Sequence, residues 1–160
     1  MTDVLAAALQ DHYPEGFSHC FGCGRLNVHG HRIRSFRDGD GTVARYTPEP
    51  HHMALPGFVY GGLVASLVDC HGIATAADAA LRKAGHVVGE VPTPRYVTAA
   101  LHVNYRRPTP LGVELEVRAR VKEVSGRKTT VEVTVSANGT VTADGEVVAV
   151  PAPESMGGGG

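Results

Sequence analysis

Pro56-Gly57-Phe58-Val59-Tyr60-Gly61-Gly62-Leu63-Val64-Ala65-Ser66-Leu67-Val68-Asp69-Cys70-His71-Gly72 is the stretch on which the fold turns. From Leu63 onward, apolar residues recur as Leu63, Leu67, Cys70, Ala74, Ala77 and Leu81. Their spacings alternate between four and three, the stripe of one helix face. Gly85, just beyond Arg82 and Lys83, is placed to end that helix, since glycine accepts the left-handed conformation that closes a C-terminus. The helix opens on Gly61-Gly62. A helix N-terminus leaves backbone N–H groups without acceptors and carries the positive dipole end, so it can hold an oxyanion. Paired glycines let a substrate approach that backbone closely. Asp69 is the only acid of the helix before Asp78, and a carboxylate there can serve as base or nucleophile.

Downstream the period changes to two. Val97, Ala99, Leu101, Val103 and Tyr105 alternate with Tyr96, Thr98, Ala100, His102 and Asn104. Val113, Leu115, Val117, Ala119 and Val121 alternate with charged residues, and Val131, Val133 and Val135 with Glu132 and Thr134. Each run reads as a half-buried strand with one polar face. Turn residues at Pro108 to Gly112, Ser125-Gly126 and Asn138-Gly139 join them as an antiparallel meander. A last strand spans 141–150, with a bulge at Asp144-Gly145. Upstream, 33–37 and 42–47 are predicted strands around Asp38-Gly39-Asp40-Gly41. A single long helix must bury its stripe on the sheet. The predicted class is α+β: a strongly curved antiparallel sheet wrapped around one long central helix. Residues 1–18, with a short helix over 4–9 and then a loop, precede a single domain over 19–150, and 151–160 is expected as a flexible tail.

At 160 residues and 16.8 kDa the chain suits one domain with a real core. A net charge of −1 gives no long-range field to draw in nucleic acid. No uninterrupted apolar run reaches the ~18 residues that would span a bilayer, and Met1 to Gln10 lacks the basic start and long apolar core of a secretory signal. Three cysteines, an odd number, argue against a disulfide scaffold. These features set the expectation of a cytoplasmic protein with reduced thiols, without membrane or nucleic-acid partners.

Three segments resemble the hotdog-fold thioesterases of the PaaI-like acyl-CoA group, in the 4-hydroxybenzoyl-CoA thioesterase superfamily. That group carries Asn-x-x-Gly-x-x-His-Gly-Gly-x-x-x-x-Leu-x-Asp at the start of its central helix, and Gly57, Gly61, Gly62, Leu67 and Asp69 fit it at the right spacings. The segment from Thr98 to Gly112 is similar to the family's strand ending in Arg-Pro-x-Pro-Leu-Gly, and Cys20-Phe21-Gly22-Cys23-Gly24 begins a lead-in seen in many members. Together they cover 19–150 in the correct order. The resemblance implies a hotdog fold, acyl-CoA thioester hydrolysis, no cofactor beyond coenzyme A as part of the substrate, and sites at the interface of a homodimer or homotetramer. Two positions depart from the pattern. The family's His before the glycine pair is Tyr60, and its Asn is Ala54; members use those positions to orient the thioester carbonyl or a water.

Thioester hydrolysis needs a developing oxyanion stabilised and a water or carboxylate delivered. The Gly62 N–H, with Gly61 beside it, is the candidate oxyanion donor, and Asp69 the candidate base or nucleophile. Seven residues of helix separate them, roughly 10 Å at ~1.5 Å per residue. One carbonyl cannot touch both within one chain, so a shared thioester requires two subunits. The helical neighbours of Asp69 (Gly62, Ala65, Ser66, Gly72, Ile73 and Ala76) are small apart from Ile73, leaving room for an acyl group or a neighbouring chain. Tyr60, Gly61 and Ser66 are candidate substrate contacts, as are Thr98 and Asn104 on the polar strand face. Arg106 and Arg107 are candidate partners for coenzyme A phosphates.

His71, about 200° around the helix from Asp69, reads as a core or interface residue, and Cys70 as a small hydrophobe on the stripe. Cys20 and Cys23, with His19, His29 or His31, suggest zinc, but their spacing fits no standard finger. The expectation is a packed loop and no metal. Two alternatives stay open. Tyr60 and Ala54 favour a non-catalytic protein that binds acyl-CoA or an acyl carrier, and a hotdog dehydratase would need an Asp–His pair on one substrate.

Overall fold

A computed structural model describes residues 7–158; residues 4–6 of the expected short helix lie outside the described residues. The first regular elements are 3-10 turns, Leu9–His12 and Glu15–Phe17. The strands are β1 (Ser35–Asp38), β2 (Gly41–Tyr46), β3 (Tyr96–Tyr105), β4 (Leu115–Ser125), β5 (Lys128–Ala137) and β6 (Thr140–Pro151), and α1 (Gly61–Lys83) stands between β2 and β3. One six-stranded sheet runs in the order β1-β2-β4-β5-β6-β3, every neighbouring pair antiparallel. The sheet is not closed, and α1 packs against it, touching all six strands, as the single apolar stripe requires.

The helix buries Leu63, Leu67, Cys70, Ile73 and Ala76 against Val117, Val133, Val147 and Ala149. By length and composition alone α1 is long and apolar enough to cross a bilayer, yet its apolar residues are packed into the sheet. It ends as the sequence predicts. Gly85 has φ +80°, its N–H donates to Arg82 O, and the His86 N–H donates to Leu81 O. These two bonds satisfy carbonyls that the helix leaves open.

The expected four-strand meander needs correction. β4, β5 and β6 form it, but β3 lies beyond β6 instead of beside β4. Residues 106–114 therefore cross over rather than turn. Their backbone groups are engaged elsewhere: Arg106 and Arg107 N–H donate to Thr142 O, Leu111 N–H to Gly57 O, and Val59 N–H to Thr109 O. Pro108 and Pro110 contribute no donors to a ladder.

The bulge expected at Asp144-Gly145 is absent, because both stay in register, paired with Asn104 and Val103. Glycine stands at 145 for a close approach: a Cβ there would fall 2.2 Å from His102 O and 3.1 Å from Val68 Cγ1. The irregularity in β3 instead lies between Thr98 and Ala100. It flips the alternation, so Thr98 shares the helix-facing side with Leu101 and Val103, while Asn104 stays on the outer side. As the last strand of the sheet, β3 leaves Thr98 to His102 exposed. After β6, the segment expected as a flexible tail enters a 3-10 turn, Glu154–Gly157, where Gly157 lies against the Phe17 ring.

Candidate functional site

Asp69 sits half-buried near the middle of α1, and its carboxylate accepts a 2.5 Å hydrogen bond from the Thr98 hydroxyl. Only the bulge in β3 makes that contact possible. Burial pushes the carboxyl above the usual carboxylate range; the Thr98 hydroxyl opposes the rise, Cys20 adds to it and Arg95 opposes it. A carboxylate so raised is better matched to proton transfer near neutrality. It opens on a cavity of about 140 Å³ whose other walls include Arg95, Tyr96, Ile73 and three cysteines.

The helix start has a different setting. Tyr60 gives no side-chain cap, and the Leu63 N–H turns back to Tyr60 O at 3.2 Å. The amides of Gly61 and Gly62 are thus the ones without an intrahelical acceptor. The Tyr60 ring lies over Gly62, so close that a Cβ at Gly62 would fall 2.5 Å from Tyr60 Cε2. The Tyr105 hydroxyl donates to Gly61 O at 2.7 Å. Gly61 lines a depression of about 350 Å³ with Tyr105, Arg106 and Arg107. Tyr60 borders a larger one, about 630 Å³, with Phe21, His31, Tyr46 and His52.

Of the candidate residues, then, Thr98 meets Asp69, whereas Gly61 and Tyr60 face other depressions. The Ser66 hydroxyl donates to Gly62 O at 2.9 Å, a bond to its own helix. Asn104 and Arg106 both donate to Asp144, at 2.9 and 2.7 Å, which holds the Asp144 carboxyl below its usual range.

His71 faces away from this cavity. It is fully buried, with Nδ1 2.8 Å from Ser35 Oγ and Nε2 3.0 Å from Thr42 Oγ1. Burial holds its pKa down at about 4, so the ring is neutral at physiological pH.

The sequence reading did not bring Cys70 to Cys20 and Cys23. Their sulfurs lie within 4.8 Å of one another. The thiols of Cys23 and Cys70 and the backbone N–H groups of Cys23 and Gly22 hold the Cys20 thiol well below its usual range, while Cys23 and Cys70 are raised by donating to it and by burial. The Cys-x-x-Cys-Gly run was visible, but nothing periodic signalled a partner on the helix. None of the histidines weighed as zinc ligands joins the cluster; His31 Nδ1 instead lies 3.1 Å from the Tyr46 hydroxyl.

Comparison with known proteins gives the family and the fold. Residues 56–144 match the family model of the thioesterase superfamily. An acyl-coenzyme A thioesterase, THEM4 of Xenopus laevis, is 31% identical over 86 residues, which is 54% of this chain and 33% of that protein. The chain thus spans about a third of the length of that relative. A thioesterase superfamily protein from Shewanella loihica PV-4 has a crystal structure that superimposes with a TM-score of 0.64 at 46% identity, over 79% of this chain and 96% of that one. The E. coli PaaI protein of the phenylacetic acid degradation operon shares the fold at 14% identity, with a TM-score of 0.62 over 77% of this chain and 81% of its own.

Proposed function

Since the chain belongs to the thioesterase superfamily, we propose that it hydrolyses an acyl-CoA thioester at a site shared by two copies of itself. The observation that carries this is the division of labour along α1. Asp69 is half-buried, hydrogen-bonded by Thr98 and raised in pKa, while the free amides of Gly61 and Gly62 lie about two helical turns away. In this reading Gly62 N–H of one copy binds the oxyanion and Asp69 of the other acts as base or nucleophile. The free edge of β3, exposed from Thr98 to His102 beside Asp69, supports a second copy there, because a long unpaired edge is a ready surface for strand pairing. Arg107, at the rim of the depression that Gly61 lines, suits a coenzyme A phosphate. Arg106 would reach one only by sharing or leaving Asp144.

A second reading, acyl-CoA binding without hydrolysis, is favoured by one observation: the Tyr60 ring covers Gly62 where the family pattern has His. The dehydratase reading loses its histidine, since both ring nitrogens of His71 are engaged in the core.

Release of free thiol from a panel of acyl-CoA esters separates the two. Hydrolysis is expected, and Asp69→Asn should lose ~100-fold or more in kcat, the scale of a general base, with its circular dichroism unchanged. A folded variant with unchanged turnover would remove Asp69 from the mechanism; binding without turnover by the unaltered protein would establish the second reading.

A further inference from the structure

The cavity that holds Asp69 has a second wall with its own chemistry. Cys20 and Cys23 come from the loop before β1, and Cys70 from α1. All three sulfurs lie within 4.8 Å of one another, with Cys20 and Cys70 at 4.0 Å. A tetrahedral zinc with Zn–S of about 2.3 Å sets its sulfurs about 3.8 Å apart. The thiols need contract by no more than about an ångström to meet that spacing.

The loop is shaped around the sulfurs. The Gly24 N–H donates to Cys20 O at 2.7 Å and closes the turn. A Cβ at residue 22 would fall 2.3 Å from Cys70 Sγ, so glycine there is what lets the loop approach the helix. Arg95 lines the same cavity and can offset the single negative charge that remains when three thiolates hold a divalent cation.

Tyr13 gives an independent sign. It is 3% exposed, and its hydroxyl is buried with no hydrogen-bond partner among the described residues. Its ring lies 4.9 Å from the guanidinium of Arg95, a residue that itself lines the cavity of the three thiols. Native proteins rarely leave such a group unpaired.

We propose that Cys20, Cys23 and Cys70 form a binding site for one soft divalent cation, zinc(II), with its fourth position open to a small exogenous ligand. Binding forms three S–Zn bonds and releases to solvent the protons still held by the thiols, those of Cys23 and Cys70. Thiolates select zinc over magnesium or calcium. The site ties the loop before β1 to α1 next to Asp69, and it stands whether or not the chain hydrolyses thioesters.

The test is a cobalt(II) titration of the full chain, reduced and freed of metal, followed by displacement with zinc(II) against a chromophoric chelator. One cation per chain is expected, with a sulfur-to-cobalt charge-transfer band of three-thiolate intensity. Cys23→Ser and Cys70→Ser should each weaken zinc binding by ~100-fold or more and reduce the band by about a third per sulfur removed. Three results would each overturn the site: no charge-transfer band in the unaltered chain, a band indifferent to both substitutions, or thiols that only close a disulfide and bind no cation. Because the band is read first on the unaltered chain, a variant that fails to fold does not protect the proposal.

Discussion

Asp69 and His71 stand two residues apart on α1 and meet opposite surroundings, because each residue turns the helix by about 100°. Asp69 reaches a cavity and a strand hydroxyl, whereas His71 enters a buried polar network with Ser35, Thr42 and Thr75. The buried imidazole makes stability depend on pH. Its folded pKa of about 4 lies below the ~6.5 of an unfolded histidine, so the unfolded chain takes up the proton first as pH falls. Stability from this group is complete above about pH 6.5 and is lost progressively between there and pH 4, by about 3 kcal/mol in all. Denaturant midpoints measured across that window should fall accordingly, and His71→Gln should flatten the dependence; an unchanged slope would mean that the ring titrates normally. The sequence alone separated the surroundings of these two residues through helical angle. It did not reveal the partner of Asp69, since strict alternation puts Thr98 on the face opposite Leu101 and only the irregularity between Thr98 and Ala100 reverses it. Nor did it reveal the thiol cluster, because a loop-to-helix contact across fifty residues, Cys20 to Cys70, leaves no periodic trace.

Among the elements, the long helix and the strand set were legible because each carries its period openly: the three-and-four stripe of α1, and the alternating valines of β4 and β5. Strand order was less legible. Proline and glycine at 108–112 fit a turn, but the segment serves a crossover, with the Arg106 and Arg107 donors claimed by Thr142 O and the Leu111 donor by Gly57 O. The result sends β3 to the sheet edge beside β6, where Gly145 meets it. Gly145→Ala would drive a methyl to 2.2 Å from His102 O, a backbone atom that has no side-chain freedom to yield. We expect a loss of about 3 kcal/mol, the upper range for overpacking, read as a lower denaturant midpoint. A midpoint unchanged within about 0.5 kcal/mol, the usual scatter of a surface substitution, would show that β3 is not held against β6 as described. Because β3 also carries Thr98, activity should fall with stability in this variant.

For the whole molecule, the central claim is that one chain holds two halves of a site that it cannot join. Gly62 and Asp69 are fixed on the same rigid helix, about 10 Å apart along its axis; Asp69 lines one depression, and Gly61, next to Gly62, lines another. The exposed edge of β3 provides the surface by which a second copy would bring its own helix start to Asp69. Complementation tests this directly. One pool carries Asp69→Asn; another carries Gly62→Pro, which removes the N–H donor and requires the Tyr60 ring to swing aside. Each pool, shown to be folded by circular dichroism, should be nearly inactive alone. Mixed under subunit exchange, they form hetero-dimers in which one site joins an intact Gly62 to an intact Asp69 and the other carries both lesions. Up to about half of the unaltered turnover per hetero-dimer should return, by the symmetry of a two-fold interface. No recovery, with exchange confirmed by mass spectrometry, would contradict the two-chain site.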